Sequence, residues 1–417
     1  MSQPLQRRAL YFLLVNLLLD SVGFGLIMPV IPQLIMELTG EGIGAAARYS
    51  GWLMLLFALV NFVAMPILGN LGDRFGRRPV LLVSLLALGI NTLLTGLATS
   101  LAWLFVARVI TGACSAAYGT ANAYVADISP PEQRAQNFAV TGAAFGLGFI
   151  VGPAIGGMLG ELGPRVPFFA AAAISFANVV YGYFVLPESL APELRRPFEW
   201  RRANPFGAVR ALRHYPVVSG LVVVLLLYQL AFQVLPSTWN FYTIYRFDWS
   251  VAEVGYSLAF SGMLMIFVQV FLVRRVIPRL GEYRSALVGL LVCVAGHYTY
   301  AFAWLGWLMY VGMLLGSLSG LVGPSLNAIM SKQVGPRAQG ELQGALGSLM
   351  SLTGIVGPLL MTQLFGYFSN PEAIVHFAGA PFFASASLML VALVLLVRQR
   401  GRQAAAPVHD PALEKVL

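Results

Sequence analysis

The sequence predicts an all-α integral membrane protein of twelve transmembrane helices, arranged as two six-helix halves with both termini cytoplasmic. Three observations lead there. The chain is 58% hydrophobic and only 10% charged, against about 25% charged in an ordinary soluble domain. Apolar windows of about 20 residues, enough to cross a hydrocarbon core of ~30 Å, recur along nearly its whole length. Short motifs also recur half a chain apart: IVGP at 150–153 returns at 355–358, Asn122-Ala123 as Asn327-Ala328, and RAQ of 134–136 at 337–339. A parallel repeat of this kind is a transporter architecture.

The spans fall near 9–36, 50–71, 79–99, 102–126, 136–160, 167–186, 215–242, 251–273, 284–304, 306–330, 339–368 and 376–397. The first follows Arg7 and Arg8, as a signal peptide follows its basic start. It is too long for one, carries Asp20 and two prolines, and has no small-residue cleavage site, so it reads as an uncleaved helix. Internal Gly and Pro in the later spans are tolerated in membranes and used by transporters for kinks. The fifth holds GAAFGLGFIVG at 142–152, whose glycine spacing loosely resembles a dinucleotide site. No strand precedes it, which argues against nucleotide binding and an ATP-driven mechanism. Between the sixth and seventh spans, 187–214 is rich in Pro, Arg and Glu. The chain therefore divides into an N-terminal bundle (1–186), a cytoplasmic linker (187–214), a C-terminal bundle (215–398) and a cytoplasmic tail (399–417). Cys114 and Cys293 both lie inside apolar spans, with no disulfide or metal spacing.

Charge orients the array. Of the 26 Lys and Arg, 22 fall in the segments that are inner if both termini are inside; the outer loops hold only Arg48, Arg165 and Arg246, and Arg108 sits within a span. The positive-inside rule makes both termini cytoplasmic. The net charge of +9 is then topology rather than a nucleic-acid footprint, and the basic 195–213 stretch lies against anionic lipid headgroups.

Polar residues inside the spans are the candidates for chemistry. Asp20 stands about eleven residues into the first span, ~16 Å along a helix and so near mid-membrane. A carboxylate there is costly; it either exchanges protons or serves as a permanently paired charge. Asn16, one turn earlier on the same face, is placed to hydrogen-bond it. Arg108 cannot give up its proton and biases other groups or caps a carbonyl. It heads a helical stripe with Thr111, Ser115, Gly119 and Asn122, small or polar throughout, which faces protein or water rather than lipid. Gln229 and Gln233, followed by Pro236, Trp239 and Asn240, read either as a broken helix lining a substrate cavity or as interhelical hydrogen bonding beside an interfacial Trp. His297 is a second protonatable group or a satisfied core histidine. Met309 and Met313 stand at i,i+4, as a soft-metal pair or, more in keeping with apolar helices, as gap-fillers; no metal is expected.

Residues 69–82, GNLGDRFGRRPVLL, pack one Asp and three Arg into six positions at the turn between the second and third spans. Gly69, Gly72 and Gly76 suit close helix approach and a tight turn, and Asp73 and Arg77 suit charge-assisted contacts to neighbouring helix ends. GNLGDRFGRR resembles the G-x-L-a-D-r-x-G-r-k signature of the major facilitator superfamily, and GFIVGPAIGG at 148–157 resembles the signature of its antiporters. LDSVGFGLIMPVIP at 19–32 is similar to the first helix of the tetracycline-efflux group of drug:proton antiporters, and RVITG at 108–112 resembles the superfamily's fourth-helix motif.

The resemblance implies a conformational gate of Gly69, Asp73, Arg77, Asp127, Gly152 and Pro153. The placement of the polar residues makes Asp20, Arg108 and His297 the candidates for proton coupling, and Asn16, Ser115, Asn122, Gln229, Gln233, Trp239 and Asn240 the candidates for a substrate cavity. The expected function is export of lipophilic small molecules or drugs by alternating access, as a monomer in the bacterial inner membrane, driven by the proton gradient without a cofactor. A proton-coupled importer of a small metabolite is the other reading, and an intramembrane sensor or structural protein a third. Tetracycline pumps carry further acids in helices 3 and 9; here the third span has Asn91 and span 284–304 has no Asp or Glu, only His297.

Overall fold

The computed structural model describes residues 3–115, 117–130, 133–197, 216–334, 339–370 and 372–403, and among them every element is helical. Hydrocarbon offers the backbone no hydrogen-bond partner, and a helix satisfies each peptide group within its own segment. Most of the 187–214 linker, with nearly all of its basic 195–213 stretch, and the whole tail beyond Gln403 lie outside the described residues.

Twelve helical rods follow one another among the described residues. α1 comprises Gln3–Ile27, a 3-10 turn at Met28–Val30 and Ile31–Thr39; Pro29 and Pro32 withhold the amides that would continue the α pattern. α2 is Ile43–Phe75, α3 Arg77–Gly96, α4 Leu101–Ser115 with Ala117–Ile128, α5 Arg134–Gly160 and α6 Val166–Val185. α7 comprises Pro216–Phe232 and Val234–Phe247, interrupted at Gln233, three residues before Pro236. α8 is Val251–Leu280, with a π-helical turn at Val268–Leu272, and α9 is Glu282–Ala301. α10 runs Trp307–Ser317, a 3-10 turn Leu318–Leu321 and Val322–Lys332; α11 is Gln339–Phe368 and α12 Ala380–Gln403. Eleven of these are long and apolar enough to cross a membrane. α9 equals the shorter ones in length, and its Glu282, Arg284 and His297 dilute its apolarity.

Several boundaries differ from the sequence expectation by four to seven residues, α8 running on to Leu280 rather than 273, and two of the starts have a visible cause. α2 begins at Ile43 rather than near 50, because Gly40, at φ 68°, closes α1 by donating its N–H to the Met36 carbonyl and leaves only a short link. α12 starts at Ala380 rather than 376, after a turn in which the Ala380 N–H bonds the Phe377 carbonyl.

The chain gathers into two compact units, Met1–Pro205 with Asn240–Met263, and Phe206–Trp239 with Leu264–Leu417. In the first, α1 lies on α5 through glycines four apart. A Cβ on Gly148 would sit 2.7 Å from the Leu18 carbonyl oxygen, and one on Gly152 2.7 Å from that of Val22. Close backbone approach of this kind supplies the packing that hydrophobic burial cannot supply in lipid. In the second unit, Leu221, Leu290, Val322, Leu326, Met389 and Leu396 form a core shared by α7, α9, α10 and α12. There the π turn of α8 abuts the 3-10 turn of α10: a Cβ on Gly320 would lie 3.0 Å from Cγ1 of Val268. The Tyr228 hydroxyl donates to the Ser319 carbonyl at 3.0 Å, re-satisfying a backbone group where the regular pattern is interrupted.

Candidate functional site

The charged turn is built around Gly76. Its φ of 103° suits glycine, and a side chain there would collide with the Glu188 carboxylate. The turn brings α2 to an end at Phe75 and starts α3 at Arg77, so that Asp73 and Arg77 face each other across it. Arg77 Nη2 lies 2.6 Å from Asp73 Oδ1, and Arg77 Nε donates to Asp127 Oδ2, at the end of α4, at 3.4 Å. Gly72 leaves room for this guanidinium: a Cβ there would be 3.0 Å from Arg77 Nη1 and 3.2 Å from Thr120 Cγ2. Gly69, by contrast, has open space where its Cβ would go, so close approach is not its reason.

Two further residues join the cluster that the sequence reading did not single out. Glu188, just past α6, accepts the backbone N–H of Arg77 at 2.8 Å and of Arg78 at 3.2 Å, occupying the otherwise orphaned amides at the N-terminus of α3. Ser189 Oγ donates to Asp127 Oδ2 at 3.2 Å. The chain then returns over the turn, where the Arg196 N–H bonds the Asp73 carbonyl at 3.0 Å. One signal for Glu188 is present in the sequence: α3 begins after a glycine, which has no side chain to cap it.

The antiporter-like segment is wedged within the first unit. On one side, a Cβ on Gly25 of α1 would lie 2.6 Å from Pro153 Cδ and 2.9 Å from Gly152 Cα. On the other, a Cβ on Gly157 would lie 2.7 Å from the Val251 carbonyl oxygen and 3.1 Å from Gly255 Cα, at the start of α8. Glu161 Oε1 accepts the Ala252 N–H at 3.0 Å, and Ser250 and Glu253 form a reciprocal capping box beside it.

Asp20 is half-buried on α1, and Arg108 is half-buried on α4. Among the described residues neither has a hydrogen-bond or ion-pair partner, so the two do not pair. Asn16 is buried, and its Nδ2 makes no bond to Asp20. Below Arg108, the amide of Asn91 donates to Thr111 Oγ1 at 2.7 Å and to the Ala107 carbonyl at 3.2 Å, tying α3 to α4 with neutral groups. Ser115 and Asn122, farther along that stripe, are half-buried.

The polar run of α7 is divided. Gln229 lines a narrow crevice with Leu346, Met350 and Thr353 of α11. Gln233 lies over Gly357, the second-half counterpart of Gly152, where a Cβ would meet its Cγ at 2.6 Å. Trp239 is buried, its ring edge-on to Tyr300 and Phe382 at 5.4 and 6.4 Å, and so belongs to an aromatic core. Asn240 Nδ2 instead donates to the Met28 carbonyl at the 3-10 turn of α1. His297 is fully buried; its Nδ1 bonds the Cys293 carbonyl at 2.9 Å, and its Nε2 has no partner among the described residues. Met309 and Met313 are buried in the same unit.

Comparison with known proteins places this geometry. The family profile of the Major Facilitator Superfamily matches residues 13–358 and 275–416. The tetracycline resistance protein, class C, of Escherichia coli is 37% identical over 390 residues, covering 94% of this chain and 96% of the relative. Multidrug resistance protein 2 of Bacillus subtilis is 27% identical over 410 residues, covering 96% of this chain and 98% of that one. Among solved structures, the human organic anion transporter MFSD10 superposes with a TM-score of 0.67 at 25% identity, over 95% of this chain and all of that one. The nucleoside transporter NupG superposes with a TM-score of 0.75 at 13% identity, over 94% of this chain and 98% of that one, a likeness of fold. The chain belongs to the major facilitator superfamily, as a relative of its tetracycline-resistance efflux proteins.

Proposed function

We propose that the chain exports lipophilic drugs in exchange for protons, with Asp20 as the proton carrier and the turn at Asp73 as a gate. The chain is a transporter rather than an enzyme, an integral protein of the bacterial inner membrane that handles small molecules. The carrying observation is that Asp20, a carboxylate midway along α1, has no partner among the described residues while its helix lies on the antiporter-like glycines. An unpaired carboxylate in a membrane is costly as a permanent charge and useful as one that comes and goes.

Alternating access between an N-terminal bundle (1–186) and a C-terminal bundle (215–398), joined by 187–214 and with both termini cytoplasmic, converts that protonation cycle into transport. Proton and substrate must differ in affinity for the two states, since only a differential affinity shifts an equilibrium. The Asp73–Arg77–Asp127 cluster, with Glu188 behind it, holds one state closed; Gly152 and Pro153 form the other packed face. In the first unit Ser115, Asn122 and Asn240 offer amides and a hydroxyl to a mostly apolar substrate; in the second, Gln229 and Gln233 do so, with Trp239 in that unit's aromatic core. Arg108 biases the charge of Asp20 from a distance, and His297 is a second proton site. The protein acts as a monomer.

Proteoliposomes with an acidic lumen test the direction. Tetracycline and a drug panel added outside should release lumenal protons as substrate enters. Substrate that instead carries protons inward with it establishes the importer reading.

A further inference from the structure

Asn16 of α1 and Asn178 of α6 meet where those helices pack. They are 7% and 1% exposed, and Asn178 Nδ2 donates to the Asn16 backbone carbonyl at 3.4 Å. That bond leaves the other polar ends uncommitted: Asn16 Nδ2 and Asn178 Oδ1 are both buried without a partner among the described residues. A buried donor or acceptor left without a partner carries its full desolvation cost. The two together suit a small molecule that accepts from one amide and donates to the other.

The position of this pair gives it a use. Asp20 stands one turn from Asn16 on the same face of α1. Two of the helices packed on α1 bring no charge: α5 from Gln136 to Gly160 and α6 from Val166 to Val185 contain no Asp, Glu, Lys or Arg. Apart from Asp20, the charged residues of α1 are Arg7, Arg8 and Glu37, near its ends; α5 has Arg134 at its start, and α4 has Arg108 within its span and Asp127 at its end. The phenols of Tyr124 and Tyr181 lie toward the end that carries Phe12 and Leu186. A proton reaching Asp20 along the α1–α6 face therefore passes neutral groups only.

We propose that a water molecule held between the Asn16 amide and the Asn178 side-chain carbonyl forms the last step of the proton route to Asp20, with Asn178 as a positioning residue. This rests on the reading of Asp20 as the proton carrier. The water accepts an N–H from Asn16 and donates one O–H to Asn178, which leaves its second hydrogen free to point at Asp20. When a proton arrives from a neighbouring water, a new O–H bond forms on the bound water as the one facing Asp20 breaks. The carboxylate becomes a carboxylic acid, the water is regenerated, and neither amide changes protonation.

Infrared difference spectroscopy after a pH jump on the full chain in lipid tests this without a transported ligand. The wild type should show a water O–H band that shifts in oxygen-18 water, together with a carboxylic C=O band from Asp20. Asn178→Leu, close in size, should abolish the water band and slow appearance of the carboxylic band about tenfold, the rate equivalent of one lost hydrogen bond. Asn178→Ser, which restores a hydroxyl and space, should recover both. The proposal is overturned if the wild type has no oxygen-18-sensitive band, or if Leu and Ser behave alike. Asp20→Asn separates the two readings: a carboxylic band that survives in it removes Asp20 as the carrier, while the water band reports the Asn16–Asn178 site on its own.

Discussion

The Glu188 carboxylate accepts the backbone N–H of Arg77 at 2.8 Å, joining the end of the sixth helix to the start of the third across 111 residues of sequence. The same arginine uses its side chain on Asp73 and Asp127. The charged turn is thus anchored at its backbone by one acid and held at its side chain by two others, and each can be altered alone.

Removing the anchor should be a stability effect. Glu188→Ala strips both the charge and the acceptor from the α3 N-terminus and should cost about 1–2 kcal/mol, as loss of a helix cap does. Glu188→Gln keeps an acceptor oxygen and should cost less. Thermal unfolding in detergent reads this, and an Ala variant as stable as the wild type would show that the cap is idle.

Altering the side-chain latch should instead be a kinetic effect. Asp73→Asn removes the closer of the two ion pairs and leaves Arg77 with Asp127 at 3.4 Å. It should slow turnover in proteoliposomes while substrate affinity stays near the wild-type value, because the balance of states changes and the binding surface does not. Unchanged turnover removes Asp73 from the gate.

The glycines divide into two classes. At Gly152 a Cβ would sit 2.7 Å from a backbone oxygen of α1, and backbone cannot rotate aside. Gly152→Ala should therefore destabilise by about 1–3 kcal/mol and impair transport. Gly69 has nothing within 4 Å of its Cβ position, and Gly69→Ala should be neutral or up to ~1 kcal/mol stabilising, through helix propensity. Comparing the two unfolding temperatures tests the assignment; equal losses would contradict it.

The rods of the fold were legible because lipid demands long apolar runs, and the charged turn stood out against them. The break in α7 was legible from Pro236. What connects distant segments was not: Glu188 reaches its partners across more than a hundred residues, and nothing local in Pro187-Glu188-Ser189 names them. Trp239 and Asn240 are neighbours in sequence, yet one enters an aromatic core and the other bonds α1; helical rotation of about 100° per residue separates them. Asn178 carries no signal in the sequence, because a lone asparagine in an apolar helix has no pattern; only its contact with Asn16 gives it meaning.

The central claim is that Asp20 carries the coupled proton, and Asp20→Asn in proteoliposomes tests it most directly. The amide has nearly the size of the protonated acid and removes a buried charge, so the variant should fold and be at least as stable as the wild type. Uphill export driven by a pH gradient should be lost, while substrate-for-substrate exchange, which needs no net proton movement, persists. An Asp20→Asn protein that still concentrates substrate against its gradient at near wild-type rates would contradict the account and send the proton elsewhere, with His297 the next site to test.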